Sequence, residues 1–177
     1  GTEKVSPKIV EAFVETQLND GTRPIISRAN IFLYPNAAIA KSIADYFPRI
    51  LSATISRDSL LAQAITVAVV ERKPFAEWCS DTKKCFAMDD SGFIFAPQEL
   101  SATSTPIGQR FLPGQFTGVL ALLSRLQDAG YSATGVSVLN EQDFSVSLAK
   151  GLVLRASFSE DTNTLVRNLQ AVLSSGA

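Results

Sequence analysis

The chain has 177 residues with 46% hydrophobic content, so it is long enough to bury a core as one domain or two small ones. Its net charge of −1 lacks the basic excess that nucleic acid or an anionic membrane surface attracts. The chain contains no histidine, which excludes a Ser-His-Asp triad, a Cys-His pair and an imidazole-ligated zinc site within it.

The first half of the chain predicts two helices followed by two strands. Ser6-Pro7 is a typical helix start, with serine as the N-cap and proline at the first helical position. Pro35-Asn36 opens a second helix, and residues 51–57 and 65–71 alternate as strands do. Pro74 ends the second strand because proline has no N–H for a sheet ladder. Two helices on one face can support so small a sheet.

The second half predicts short strands and two more helices, so the fold class is α+β. A strand begins at 75–79, and a tight turn at 88–92 precedes another strand at 93–95. A leucine-rich helix covers 116–128, with Gly130 as its stop. Three further strands then follow at 135–139, 144–148 and 152–158. A final helix begins at Asp161 or Thr162. We interpret the proline break as a boundary between two domains, residues 1–73 and 74–177.

Cys79 and Cys85 are the only cysteines and flank five polar residues that would form the tip of a hairpin. Cysteines facing each other across two strands can reach disulfide distance, and an oxidising compartment would favour the bond. The alternative is a pair of unpaired thiols at two strand ends. Two cysteines without a histidine make a poor metal site, so we predict no metal.

Asp89-Asp90 is an adjacent acidic pair that could form a carboxylate dyad or a cation site. The simpler interpretation is a turn, in which aspartate accepts hydrogen bonds from nearby backbone and Gly92 takes a positive φ. Because the pair follows a strand and precedes a glycine, we favour the turn.

The charged residues Glu71 and Arg72, with Pro74, mark the predicted domain seam. They could form a hinge contact that fixes the angle between the domains. The alternative is a solvated strand end with local ion pairs worth only ~0.2–1 kcal/mol each. Residues 114–118 precede a helix but lack the lysine and spacing of a phosphate-binding loop. With no nucleophile beside a base, the sequence predicts a non-enzymatic binding module without a cofactor.

Two stretches around this seam resemble the FtsQ/DivIB family of bacterial cell-division proteins. They are residues 69–78 (VVERKPFAEW) and 88–95 (MDDSGFIF), and the helices and strands on either side follow the family order. The resemblance implies a small POTRA domain, with two helices on a short sheet, followed by a mixed or antiparallel β domain with flanking helices. It implies no catalysis.

The resemblance also implies a role, a location and partners. The role is that of a divisome scaffold that binds FtsB/DivIC-type and FtsL-type membrane proteins and helps to control septal peptidoglycan synthesis. The location is the extracytoplasmic (periplasmic) side of the inner or cytoplasmic membrane at the division septum, with one transmembrane helix outside this chain. No nucleic acid is expected as a partner. The alternative is a POTRA-containing module of an outer-membrane assembly or secretion system.

The family pattern places partner contacts on two surfaces. We expect the chain to be a fragment that lacks the first POTRA strand and the last strand of the β domain, which would leave a strand edge open. The arginine that the family places before the strand at 144–148 is Glu141 or Gln142 here. The expected POTRA face comprises Ala53, Ser56, Arg57 and Asp58. The expected β-domain edge comprises Phe144, Val146, Leu152, Leu154, Arg155 and Ser157.

Overall fold

A computed structural model describes residues 5–18, 36–57, 65–80, 82–97 and 106–175. The chain divides into two compact units, residues 1–111 and 112–177. The boundary that we predict after residue 73 falls inside the first unit and stays a prediction. In the described ranges no helix is long and apolar enough to span a bilayer.

The described residues form an α+β fold with three small antiparallel sheets, which agrees with the predicted class. The first unit contains the sheets β1–β2 and β3–β4–β5, and the second contains β6–β7–β8. The elements are α1 (Pro7–Leu18), α2 (Asn36–Tyr46), β1 (Ile50–Ser56), β2 (Thr66–Glu71), β3 (Ala76–Cys79), β4 (Cys85–Met88), β5 (Ile94–Pro97), α3 (Phe116–Asp128), β6 (Ala133–Val138), β7 (Asp143–Leu148), β8 (Val153–Ser157) and α4 (Thr162–Ser174).

The first sheet packs against α1 and α2. Each helix presents two apolar residues four positions apart, so both lie on one face. Together with two isoleucines of β1 they form one buried cluster: Val10, Val14, Ile39, Ile43, Ile50 and Ile55. Burying each such side chain contributes about 1.5–3 kcal/mol, which explains why a two-stranded sheet is held here.

The second sheet of the first unit has β4 as its middle strand. The apolar residues of β4 and β5 are almost fully buried, including Phe86, Met88 and Phe95, whereas Trp78 of β3 is half-buried. Beyond β5, the backbone at Gln109 and Gly108 continues the pairing: Ile94 N donates to Gln109 O at 2.9 Å, and Gly108 N donates to Ile94 O at 2.8 Å. Segment 106–111 therefore extends this sheet.

The second unit packs α3 and α4 with the inner face of β6–β7–β8. The alternation predicted for β7 is confirmed, because Phe144, Val146 and Leu148 are buried in this core. Asp161 caps α4 through a 2.9 Å hydrogen bond from Thr164 N to its Oδ1. The bonds from Thr164 outweigh the small opposing effect of burial and lower the pKa of the Asp161 carboxyl.

Candidate functional site

Strand β8 lies at the edge of its sheet and pairs only with β7 among the described residues. Leu148 N donates to Leu152 O at 2.8 Å, and Phe158 N donates to Gln142 O at 2.9 Å. In an antiparallel pair, alternate residues direct their backbone groups toward the partner strand. The backbone groups of Leu154 and Ala156 therefore bond to β7. The backbone groups of Val153 and Arg155 point outward.

The side of β8 that faces away from β7 is exposed, and few features block it against pairing with another strand. Val153 is 61% exposed, and Arg155 is exposed without an ion pair to any described residue. Charged side chains and prolines commonly block strand edges against pairing, and β8 carries one arginine and no proline. We therefore define the β8 edge as Val153 and Arg155, two residues whose N–H and C=O groups face away from β7.

The residues predicted for this edge divide into two groups. Phe144 and Val146 are only 3% and 0% exposed and lie on the middle strand, so their side chains belong to the core. Leu154 is half-buried and packs against the same core. Arg155 lies on the open side of β8, and its role in partner binding stays a prediction.

Two further members of the predicted set lie at the ends of β8. Leu152 directs its carbonyl to Leu148 N, although its side chain is 38% exposed. Ser157 O accepts a hydrogen bond from Glu160 N at 3.1 Å, so a turn uses this carbonyl. Val153 was missing from the predicted set. Residues two positions apart on a strand face the same side, so the spacing from Arg155 could have identified Val153 as an edge residue.

The residues predicted for the POTRA face do not share one surface. Ala53 is half-buried and packs against the cluster beneath α1 and α2, whereas Ser56 is exposed. They are three residues apart on β1, and strand alternation places them on opposite faces. Arg57 is half-buried just after the strand. Asp58 lies outside the described residues.

The predicted seam contains a buried ion pair. Arg72 Nη1 lies 2.6 Å from Asp89 Oδ2, and the two side chains are only 12% and 6% exposed. Arg72 Nε also donates to Pro48 O at 3.0 Å, and its guanidinium carbon lies 3.9 Å from the ring centroid of Phe93. Arg72 is thus a buried contact between the two sheets of the first unit, not a solvated strand end.

The other seam residues have smaller roles. Glu71 Oε1 accepts a hydrogen bond from Val5 N at 3.0 Å, which ties the segment before α1 to the end of β2. Pro74 is exposed in the connection between β2 and β3. Lys73 between them is exposed too.

The turn interpretation of Asp89-Asp90 is confirmed. Asp89 Oδ1 accepts hydrogen bonds from Ser91 N at 2.9 Å, Ser91 Oγ at 2.7 Å and Phe93 N at 3.0 Å, while Gly92 has φ 79°. Asp90 is exposed. The carboxylate of Asp89 is therefore fully occupied by structural bonds, and the two side chains do not form a dyad.

Burial tends to raise the pKa of the Asp89 carboxyl. The hydrogen bonds from Ser91, Phe93 and Arg72 together outweigh that effect, so its pKa lies below the ordinary value of 3.8. A carboxyl with a lowered folded-state pKa stabilises the fold above its unfolded pKa of about 3.9, and this contribution is lost as pH falls through the folded value.

We therefore expect Asp89→Asn to lower the free energy of unfolding by a constant amount above about pH 5, with the difference shrinking below about pH 4. Urea unfolding of both proteins over a pH series that extends from neutral pH to well below pH 4 measures the difference. Asp90→Asn is the matched control and should show no such dependence. An Asp89→Asn difference that stays the same down to the acid limit would contradict the assigned role of the charge.

The hairpin β3–β4 carries the two cysteines directly opposite each other, and the structure joins Cys79 and Cys85 by a disulfide with a Cα–Cα distance of 4.1 Å. The carboxylate of Glu77 lies within 4.8 Å of both sulfur atoms. Sulfur atoms bonded to each other are not thiolates, the form that binds metals, so the oxidised hairpin is a staple and not a metal site.

A groove of about 300 Å³ lies between α3 and α4 in the second unit. Arg125, Asp128 and Arg167 line it together with two amide side chains and two small apolar residues. None of the residues predicted for function lies in this groove.

No protein-family model matches this chain, and a search of curated proteins finds no match. The likeness to the FtsQ/DivIB family therefore rests on residues 69–78 and 88–95 and on the order of the surrounding elements.

Proposed function

We propose that this chain is the extracytoplasmic part of a non-enzymatic divisome scaffold of the FtsQ/DivIB type. In this role it binds FtsB/DivIC-type and FtsL-type proteins and helps to control septal peptidoglycan synthesis. The full-length protein would be anchored in the inner or cytoplasmic membrane by one helix outside this chain. The order of two helices and two strands in the first unit supports a POTRA arrangement.

The observation that carries the proposal is the β8 edge. Outward N–H and C=O groups at Val153 and Arg155 can pair with an extended segment of another protein, which would add a fourth strand beside β8. Strand addition gives affinity through main-chain hydrogen bonds and specificity through alternate side chains. A scaffold that acts by this means needs no catalytic group, which fits a chain without histidine.

The hairpin disulfide supports the proposed location. Disulfides form and persist in oxidising compartments such as the periplasm and the cell surface and are rare in the cytosol. The Cys79–Cys85 bond is therefore consistent with an extracytoplasmic chain.

Arg155→Pro tests the edge directly, because proline removes the outward N–H at the centre of β8. Each hydrogen bond contributes about 0.5–1.5 kcal/mol, so we expect binding to the FtsB/DivIC-type protein of the same genome to weaken by roughly tenfold. Isothermal titration calorimetry with that protein's extracytoplasmic segment measures the change.

The matched control is Arg155→Ala, which removes the same side chain but keeps the N–H. Circular dichroism verifies that both variants are folded. Equal affinities for the two variants would contradict strand addition at β8, and so would a complete lack of binding by the native chain. Ala156→Pro should instead disrupt the sheet itself, because Ala156 lies opposite Phe144 and bonds inward.

A further inference from the structure

The two sheets of the first unit are joined by a short segment that is bonded at both ends. Residues 72–75 connect β2 to β3. Arg72 N donates to Arg49 O at 2.8 Å, which closes the ladder of the first sheet. Phe75 N donates to Met88 O at 2.8 Å, which begins the ladder of the second. Only Lys73 and Pro74 therefore lie between the two anchored residues of the connection.

The Arg72 side chain spans the same connection. Its Nε bonds to the carbonyl of Pro48, just before β1, while its Nη1 bonds to Asp89 after β4. Its guanidinium lies over the ring of Phe93, just before β5. One side chain thus contacts the segment before β1 in the first sheet and the β4–β5 turn in the second.

The contacts continue beyond Asp89. Ser91 Oγ donates to Asp89 Oδ1 at 2.7 Å, and Arg110 Nη1 donates to Ser91 Oγ at 2.9 Å. Arg110 also bonds to Ser91 O at 3.1 Å. A continuous polar chain therefore runs from the end of β2 through the β4–β5 turn to segment 106–111. A second cation–ring contact, Arg49 over Phe95 with 5.6 Å between the guanidinium carbon and the ring centroid, lies between the same two sheets.

A buried ion pair is a poor source of stability, because desolvation of both charges offsets most of their attraction. Its hydrogen bonds are directional, however, whereas apolar contacts are not. We infer that the Arg72–Asp89 pair is an orientation lock: it fixes the angle between sheets β1–β2 and β3–β4–β5 more than it stabilises either one. The proposed partner binding at β8 plays no part in this inference.

The double variant Arg72→Met/Asp89→Asn separates orientation from stability. Methionine keeps an apolar group over Phe93, and asparagine keeps the side-chain oxygen that the turn requires. The angle is measured by pulsed electron paramagnetic resonance between nitroxides on Thr54→Cys and Gln109→Cys, two exposed positions in the two sheets. The native cysteines are bonded to each other and do not react with the label.

We expect a narrow distance distribution for the native chain and a clearly broader one for the double variant, with a similar melting temperature. The matched control is Lys73→Met/Asp90→Asn, which makes the equivalent changes at exposed neighbours and should keep the native distribution. If the double variant is folded and its distribution superimposes on the native one, the lock is refuted. If the double variant does not fold, the single variant Asp89→Asn takes its place. A folded Asp89→Asn protein with the native distance distribution would then refute the lock equally.

Discussion

Arg72→Ala should lower the free energy of unfolding of the first unit by about 2–4 kcal/mol. The substitution leaves the carboxylate of Asp89, 6% exposed, without its counter-charge. Hydrogen bonds from Ser91 and Phe93 to Asp89 remain, so the expected loss extends below the roughly 3–5 kcal/mol for removing one partner of a fully buried pair. The lone tryptophan, Trp78, lies on β3 in this unit, so its fluorescence during urea unfolding reports the change.

Lys73→Ala is the control for this prediction. It removes a neighbouring cation that is exposed and makes no ion pair with any described residue. Exposed substitutions of this kind stay within about 0.5 kcal/mol of the native protein. If Arg72→Ala were no more destabilising than Lys73→Ala, Asp89 would not be a buried charge that depends on Arg72, and the seam would be a solvated strand end after all.

Replacing both Cys79 and Cys85 by alanine should lower the free energy of unfolding of the first unit by about 2 kcal/mol. The bond closes a loop with a sequence separation of 6, so it restricts few conformations of the unfolded chain compared with longer loops. Trp78 lies directly before Cys79 on β3, and its fluorescence again gives the transition.

A thiol reductant provides the control. Reduction should destabilise the native protein to nearly the level of the double variant and leave the variant itself unchanged. Native stability that is the same with and without reductant would contradict the role of the disulfide as a staple. Equal stability of the native protein and the double variant under oxidising conditions would contradict it as well.

The positions of the helices and of most strands could be read from the sequence because local signals specify them, although no strand was assigned at β4. The leucine-rich stretch predicted at 116–128 is α3 (Phe116–Asp128), and Gly130 follows it with φ 88°. Pro7 and Asn36 begin α1 and α2 as predicted. Capping residues, proline and periodic apolar spacing act within a few residues of one another, so a single sequence carries them.

Whether a strand lies at the edge or in the middle of its sheet could not be predicted from such local signals. The alternation of Phe144 and Val146 indicates only that one face of their strand is buried, and β7 is in fact paired on both sides. Likewise Arg72 and Asp89 are 17 residues apart, and no local pattern joins them. Such contacts depend on which segments meet after folding. The set predicted from the sequence therefore includes Arg155 of the β8 edge and lacks Val153.

Amide hydrogen exchange tests the central claim, strand addition at β8, most directly. The backbone N–H groups of Val153 and Arg155 point outward and should exchange rapidly in the free chain, while that of Leu154, bonded to β7, should be protected. On adding the extracytoplasmic segment of the FtsB/DivIC-type protein, the account predicts strong new protection at Val153 and Arg155. Binding that leaves these two amides as exchangeable as before would contradict it.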